Sequence, residues 1–323
     1  MTASLFAASV AAWRATNGIP RPITPPLDAV VKLSLRAVDG ARTADTLGAD
    51  REGTGIVIDS NGLILTIGYL VLEAASILVM TSDNKIYPAS VVGFDHATGF
   101  GLLRASPPPP CAPVELGDSS NLGELQSLVV AGHTGAGGVT GAALVSRRRF
   151  TGWWEYMIDD ALFTAPPRYE HSGAALFDGN GRLVGIASLW VSDALNAGVA
   201  FPGNMFVPIN LLKDVLDDLV SDGRRRGAAR PWLGLNTEEV DGHLMVTRVL
   251  PDSPADLSGL KRGDIILGIG GDSIGSQSEF YESLWSSSAG GDVTLHIVRD
   301  KVVKHLIVQT SDRLSYLRPW RMV

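Results

Sequence analysis

Gly53-Thr54-Gly55-Ile56-Val57-Ile58-Asp59-Ser60-Asn61-Gly62-Leu63-Ile64-Leu65-Thr66 is the stretch that decides the fold. Two short apolar runs, Gly55 to Ile58 and Leu63 to Thr66, read as strands, and Ser60-Asn61-Gly62 between them supplies a turn by positive φ or side-chain-to-backbone bonding. The same grammar repeats outward. Upstream, Val31, Leu33 and Leu35 alternate with Lys32, Ser34 and Arg36, the pattern of a half-buried strand over Ala29 to Ala37. Downstream, similar runs fall at Ile77 to Thr81, Val91 to Phe94, Leu102 to Ala105, Leu128 to Ala131 and Leu183 to Ala187, separated by turns such as Asp83-Asn84 and Asp178-Gly179-Asn180-Gly181. Many short strands at this spacing predict a sandwich or barrel, and nothing alternates strand with helix as a parallel α/β fold would.

The first helix is predicted after Pro208-Ile209-Asn210, with Asn210 as cap, a stripe of Leu211, Leu212, Val215, Leu216, Leu219 and Val220, and Gly223 as terminator. Arg224-Arg225-Arg226-Gly227-Ala228-Ala229-Arg230-Pro231 then reads as a solvated basic hinge, and Arg147-Arg148-Arg149 as a strand end. A second compact domain follows, with strands at Leu244 to Val249, Ile265 to Ile269, Val293 to Val298 and Val302 to Val308, and a helix near Glu279 to Trp285. Pro107 to Pro110 is a stiff connector.

Composition narrows the function. The 323 residues carry 27 basic and 34 acidic side chains, net −7, which disfavours nucleic acid and anionic membranes as partners. With 45% hydrophobic and 19% charged residues the chain is globular, and its 36 glycines and 18 prolines favour a mainly β protein. The single Cys111 excludes a disulfide framework and a Cys-rich zinc site. No run of 18 apolar residues predicts a membrane span. The apolar start, Leu5 to Trp13, lacks a basic n-region, so a cytoplasmic location is slightly favoured over a periplasmic one. The loop Gly135 to Gly141 lacks the register of a dinucleotide fingerprint, the histidines lack metal-ligand spacing, and neither a metal nor a cofactor is predicted.

The opening stretch resembles that of the HtrA family of trypsin-like serine proteases. Pro254-Ala255, Gly259-Leu260-Lys261-Arg262-Gly263-Asp264-Ile265-Ile266 and Gly271-Asp272-Ser273-Ile274 resemble the core of that family's PDZ domain. Together the matches cover about 28 to 311. The resemblance implies a leader (1–27), a trypsin-like double β-barrel with a C-terminal helix (28–222), a basic linker (223–231), a PDZ domain (232–311) and a tail (312–323). It implies a cleft between two barrels as the place for an active site, and a possible homotrimer with contacts at Phe6 and Trp13.

Carried over residue by residue, the triad fails twice. Tyr69, in Leu65-Thr66-Ile67-Gly68-Tyr69, stands at the catalytic histidine's position, and Gly99, in Asp95-His96-Ala97-Thr98-Gly99, at the aspartate's. Only Ser172, in Glu170-His171-Ser172-Gly173, keeps the nucleophile. Glu170 and His171 replace residues of the oxyanion-hole region, Glu170 where the family has a glycine that lets N–H groups turn inward. Losing the base of such a triad costs on the order of 10⁶ in turnover. Relocated bases at His96, His133 or His171, and a metal held by Glu170, His171 and Tyr69, are weaker alternatives than a tyrosine that plugs a disused site.

The binding chemistry survives better. Trp232-Leu233-Gly234-Leu235 matches the PDZ carboxylate-binding loop, whose N–H groups face a peptide C-terminus while the next strand pairs with it. Phe280 and Leu284, with Trp285, line the side-chain pocket or turn into the domain core, and Arg230 adds positive charge. The resulting expectation is a catalytically degenerate HtrA-like protein, not an enzyme, that binds peptides, protein C-termini or unfolded segments at the PDZ groove. Two readings stay open: an unconventional serine endopeptidase using Ser172, and a regulatory or assembly subunit for an active relative.

Overall fold

A computed structural model describes residues 25–134 and 138–318; the Phe6 and Trp13 contacts and part of the Gly135 to Gly141 loop lie outside these. Six strands, β1 (Val30–Ala37), β2 (Asp50–Val57), β3 (Leu63–Ile67), β4 (Ala74–Met80), β5 (Ile86–Phe94) and β6 (Phe100–Ala105), close a barrel in the order β1-β2-β3-β6-β5-β4. Six more, β7 (Ser127–Ala131), β8 (Val139–Gly152), β9 (Tyr156–Ala165), β10 (Ala175–Phe177), β11 (Leu183–Val191) and β12 (Gly203–Pro208), close a second barrel with the same topology, β7-β8-β9-β12-β11-β10.

The alternation of β1 places Val31, Leu33 and Leu35 in the core of the first barrel, while Lys32 reaches across the outer face to Glu52 at 2.8 Å. Leu33 pairs with Gly53. A Cβ at Gly53 would lie 2.4 Å from Leu70 and 2.9 Å from the Ser172 carbonyl oxygen, so the first glycine of the opening stretch is what lets β2 lie against the Ser172 loop. Thr54 N then donates to Ser172 O at 2.9 Å, joining the barrels at the predicted site.

The second domain holds β13 (Pro231–Trp232), β14 (Leu235–Val240), β15 (His243–Val249), β16 (Ile265–Ile269), β17 (Asp272–Ser273), β18 (Asp292–Arg299), β19 (Val302–Gln309) and β20 (Ser311–Asp312). Its main sheet runs β14-β15-β16-β18-β19, β17 pairs with β16, and β13 pairs with β20 across the domain's two ends. The helix Gln277–Leu284 starts at Ser276, whose hydroxyl accepts from Glu279 N, and packs over this sheet. Beyond β20, Leu317 is buried in the hydrophobic cluster that runs through both barrels, and Arg318 N donates to Glu73.

Three local expectations are corrected. The predicted single helix is two, Asn210–Lys213 and Leu216–Asp222, because Val215 leaves helical φ/ψ; Asn210 does not cap, its amide being bonded to Asp118 and Ser119 instead. Gly223 does end the second at φ +75°. The basic linker is tied down rather than a solvated hinge: Arg224 pairs with Asp312, Arg225 with buried Asp95, and Arg226 with Asp218 and Asp222. Arg147, Arg148 and Arg149 lie inside β8 rather than at its end, their long arms reaching the carbonyls of Ser119 and Asp193 and the carboxylates of Asp159 and Glu282. Among the described residues no helix is long and apolar enough to cross a membrane.

Candidate functional site

The nucleophile loop after Pro166-Pro167 is held by the buried Arg168, a residue that motif matching passes over. Its backbone exchanges hydrogen bonds with the Asn204 amide at 2.6 and 2.9 Å, and its guanidinium bonds Thr134 and Thr140. Arg168 also pairs with the Glu170 carboxylate and donates to the Glu170 carbonyl oxygen, both at 3.2 Å. The negative charge that Glu170 brings to this loop is therefore partly neutralised. His171 turns back on its own loop, Nδ1 lying 2.8 Å from the Tyr169 carbonyl oxygen, and its N–H is directed to the same oxygen. Gly173 follows at φ +76°, where a Cβ would strike Thr54 O at 2.2 Å.

Tyr69, on the short helix Gly68–Val71, meets Ser172: the phenol oxygen lies 2.9 Å from Ser172 Oγ and 3.0 Å from the Ser188 carbonyl oxygen. Burial pushes the phenol up to about 12, against the opposing effect of the Ser172 hydrogen bond. Gly99 sits at φ +82°, and its side-chain space is taken by Tyr156, whose hydroxyl would be 3.2 Å from an added Cβ and which donates to Thr98 O at 2.7 Å. Nearby Asp95 does not substitute, since it accepts from Thr98 and from both ends of Arg225.

The alternative bases are also engaged elsewhere. His96 stacks on Phe94 and accepts from Arg313 at 3.0 Å, burial lowering it well below the usual imidazole range. It lines a cavity of about 380 Å³ at the junction of barrel, linker and second domain, which Ser172 does not line. His133 is bonded to the Thr54 hydroxyl at 3.1 Å, again lowered mainly by burial. Among the described residues no cluster of His, Cys, Asp or Glu is arranged to hold a metal.

The second domain's loop is occupied. Leu233 N donates to one carboxylate oxygen of Glu155 at 2.8 Å, and Gly234 N and Leu235 N to the other at 2.8 and 3.2 Å. Glu155 belongs to the β8–β9 turn of the second barrel, stands at φ +57° and is 1% exposed. Two residues before it, the Trp153 carbonyl accepts from Thr237 N on β14 at 3.1 Å. Tyr281 clasps the same turn, donating to Gly152 O at 2.7 Å and accepting from Glu155 N at 3.1 Å. Burial pushes the Glu155 carboxyl up to about 7, outweighing the three N–H donors.

Of the predicted groove residues, Leu233, Gly234 and Leu235 direct their N–H groups at the Glu155 carboxylate. Trp232 does not; its ring is buried 4.7 Å from Tyr316. Phe280 and Leu284 are fully buried in the domain core, and the helix side chains that reach β14 and the turn are Gln277, bonded to Thr237 O at 2.6 Å, and Tyr281. The i, i+4 spacing of Gln277 and Tyr281 was the available signal. Arg230 lies over the Trp285 ring at 4.3 Å.

Comparison with known proteins agrees with this architecture. Residues 53–186 match the trypsin-like peptidase domain family and 231–310 the PDZ domain family. A probable periplasmic serine endoprotease, DegP-like, of Marinomonas sp. is 30% identical over 77% of this chain and 54% of its own length, and the periplasmic serine endoprotease DegP of Escherichia coli K12 is 28% identical over 77% and 54%. The chain thus spans about half the length of the curated relatives it matches. The solved HtrA-type protease AlgW with a tripeptide shares the fold at TM-score 0.54, with 20% identity over 92% of this chain and 96% of that one. The relatives' periplasmic names overturn the cytoplasmic leaning drawn from the start of the chain, where a missing basic n-region was weak ground. A trypsin-like double barrel followed by a PDZ domain, with relatives of the same build, makes this chain a member of the HtrA-type protease family.

Proposed function

We propose that this HtrA-type protein does not cleave peptides and acts by binding peptides or unfolded chain ends through its PDZ domain, in a periplasmic setting like that named for its relatives. The observation that carries the reading is the Tyr69–Ser172 contact. Acyl transfer at serine needs a base with pKa near the working pH, within hydrogen-bond reach of Oγ. The group within that reach is a phenol raised to about 12, and the place of the base's orienting carboxylate holds Gly99 against Tyr156. Binding is supported by the three convergent N–H donors of Leu233, Gly234 and Leu235, which already hold a carboxylate. The test is a paired assay of unfolded-casein degradation and fluorophosphonate labelling, with wild type and Ser172→Ala. Equal, background-level signals from both are expected; wild-type degradation that Ser172→Ala abolishes would sink the reading.

A further inference from the structure

The donors that would receive a peptide's C-terminus are filled by the chain itself. Leu233, Gly234 and Leu235 all donate to Glu155, and the segment Trp153-Trp154-Glu155 lies along β14 with its Trp153 carbonyl on Thr237 N. An added peptide strand terminating at this loop needs the same two things, a carboxylate on the loop and a main-chain carbonyl on the strand that follows. The turn supplies both. The Glu155 side chain stands in for the terminal carboxylate, and the left-handed φ at Glu155 returns the chain into β9 so that no chain end is required. The fit extends beyond the backbone: Met157 packs against the PDZ core, Tyr281 bonds both sides of the turn, and Arg149 on β8 pairs with Glu282 on the PDZ helix.

We propose that the β8–β9 turn is an internal ligand of the PDZ domain, with Glu155 in the carboxylate loop, and that a peptide with a free C-terminal carboxylate binds only by displacing it. The inference rests on the reading of the PDZ domain as a peptide binder and assigns that site its regulation. Displacement exchanges one carboxylate for another on the same three N–H groups, so the loop is never left with unsatisfied buried donors. The partner class follows from the donor geometry: a chain end that can present a carboxylate and, two residues earlier, a carbonyl to Thr237.

The test uses the full chain and a fluorescein-labelled peptide copying residues 149–154 with a valine added, as the free acid and as the C-terminal amide. Glu155→Gly removes the internal carboxylate while glycine keeps the left-handed turn free of strain. Because the apparent Kd scales inversely with the open fraction, Glu155→Gly is expected to bind the acid about tenfold or more tightly than wild type, and the amide poorly. Hydrogen exchange over residues 232–236 gives a readout that needs no peptide: slow in wild type, fast in Glu155→Gly. Tyr281→Phe, which leaves Glu155 and the loop intact, is expected to speed the same amides part of the way. Acid binding that is equal in wild type and Glu155→Gly, and lost in both with the amide, overturns the internal ligand and leaves the peptide-binding reading standing. Fast exchange in wild type overturns it as well. An acid peptide that binds neither protein overturns both.

Discussion

Tyr69 holds Ser172 in a hydrogen bond of 2.9 Å, with the Ser188 carbonyl 3.0 Å away on the other side of the phenol oxygen. If the phenolic proton lies on the carbonyl, Ser172 donates to Tyr69; if it lies on Ser172, the serine only accepts. In both arrangements the partner of the serine hydroxyl is a phenol pushed up to about 12 chiefly by burial, a poor acceptor of a proton near neutral pH.

Restoring the missing side chains is therefore expected to be insufficient. An aspartate at position 99 must adopt φ +82° and place its Cβ 3.2 Å from the Tyr156 hydroxyl. The double variant Tyr69→His, Gly99→Asp is predicted to lose about 1–2 kcal/mol of stability from the left-handed backbone and to leave casein intact. Thermal melts and a fluorescent casein assay check both halves. Turnover above that of the same variant carrying Ser172→Ala would refute the second.

Glu155 sets a pH dependence near neutrality. Its carboxyl is at about 7 in the folded chain, raised chiefly by burial, and at 4.5 when exposed. Between those values the folded state holds a proton that the unfolded state has lost, so stability rises on acidification from 7 towards 4.5 and falls as pH rises through 7. The whole swing amounts to about 3 kcal/mol. Tyr281, which bonds the same turn, is raised above its ordinary range by burial and stays neutral throughout this window. Denaturant midpoints at pH 5, 6, 7 and 8 should follow this slope in wild type and flatten in Glu155→Gln.

Glu73 works in the opposite sense and in a lower window. Burial would raise its carboxyl, but donors from Thr43, Arg318 and Arg42 together hold it below its ordinary value. Its stabilisation is fully present above pH 4.5 and lost as pH falls through the depressed value. Glu73→Gln replaces one of the two accepting oxygens with an NH2 that faces two donors, and is expected to cost about 2 kcal/mol. The drop in midpoint should be largest above pH 5 and shrink in acid.

Asp95 joins the barrel to the linker through Arg225, at 3.2 and 2.9 Å, while also accepting from Thr98. Asp95→Ala removes charge-assisted bonds from a 3% exposed site and is expected to destabilise the protein by about 2–3 kcal/mol. Arg225→Ala, whose guanidinium is more exposed, should cost less. Equal losses from the two variants would contradict the claim that Asp95 is the buried partner.

Much of this molecule was legible in its residues, and the omissions share one cause. Gly53 to Thr66 gave strand, turn and strand because each step is local, and Leu233 to Leu235 gave the loop because N–H donors need only backbone. Glu155 was invisible: a single carboxylate, about eighty positions from its donors, carries no local mark of its role. The same holds for Tyr156, which takes the space beside Gly99 from a different barrel. The expected lining by Phe280 and Leu284 fails by helical phase, because the domain core takes the apolar face of the helix. The linker misled for a related reason. Three consecutive arginines, Arg224 to Arg226, look solvated until the chain's topology brings Asp312, Asp95 and Asp218 to them.

The pairing of Pro231–Trp232 with Ser311–Asp312, followed by the burial of Leu317 against the barrels, means that the PDZ domain is moored at both of its ends. A domain on a single tether pivots and samples a wide arc, but one on two adjacent moorings is confined to the neighbourhood of the β8–β9 turn. Confinement of that kind sets an effective concentration in the millimolar range for a ligand on a short tether. If the β8–β9 turn is the domain's internal ligand, as proposed above, an arriving chain end competes with a neighbour that never diffuses away, and only a high local supply of free C-termini would displace it.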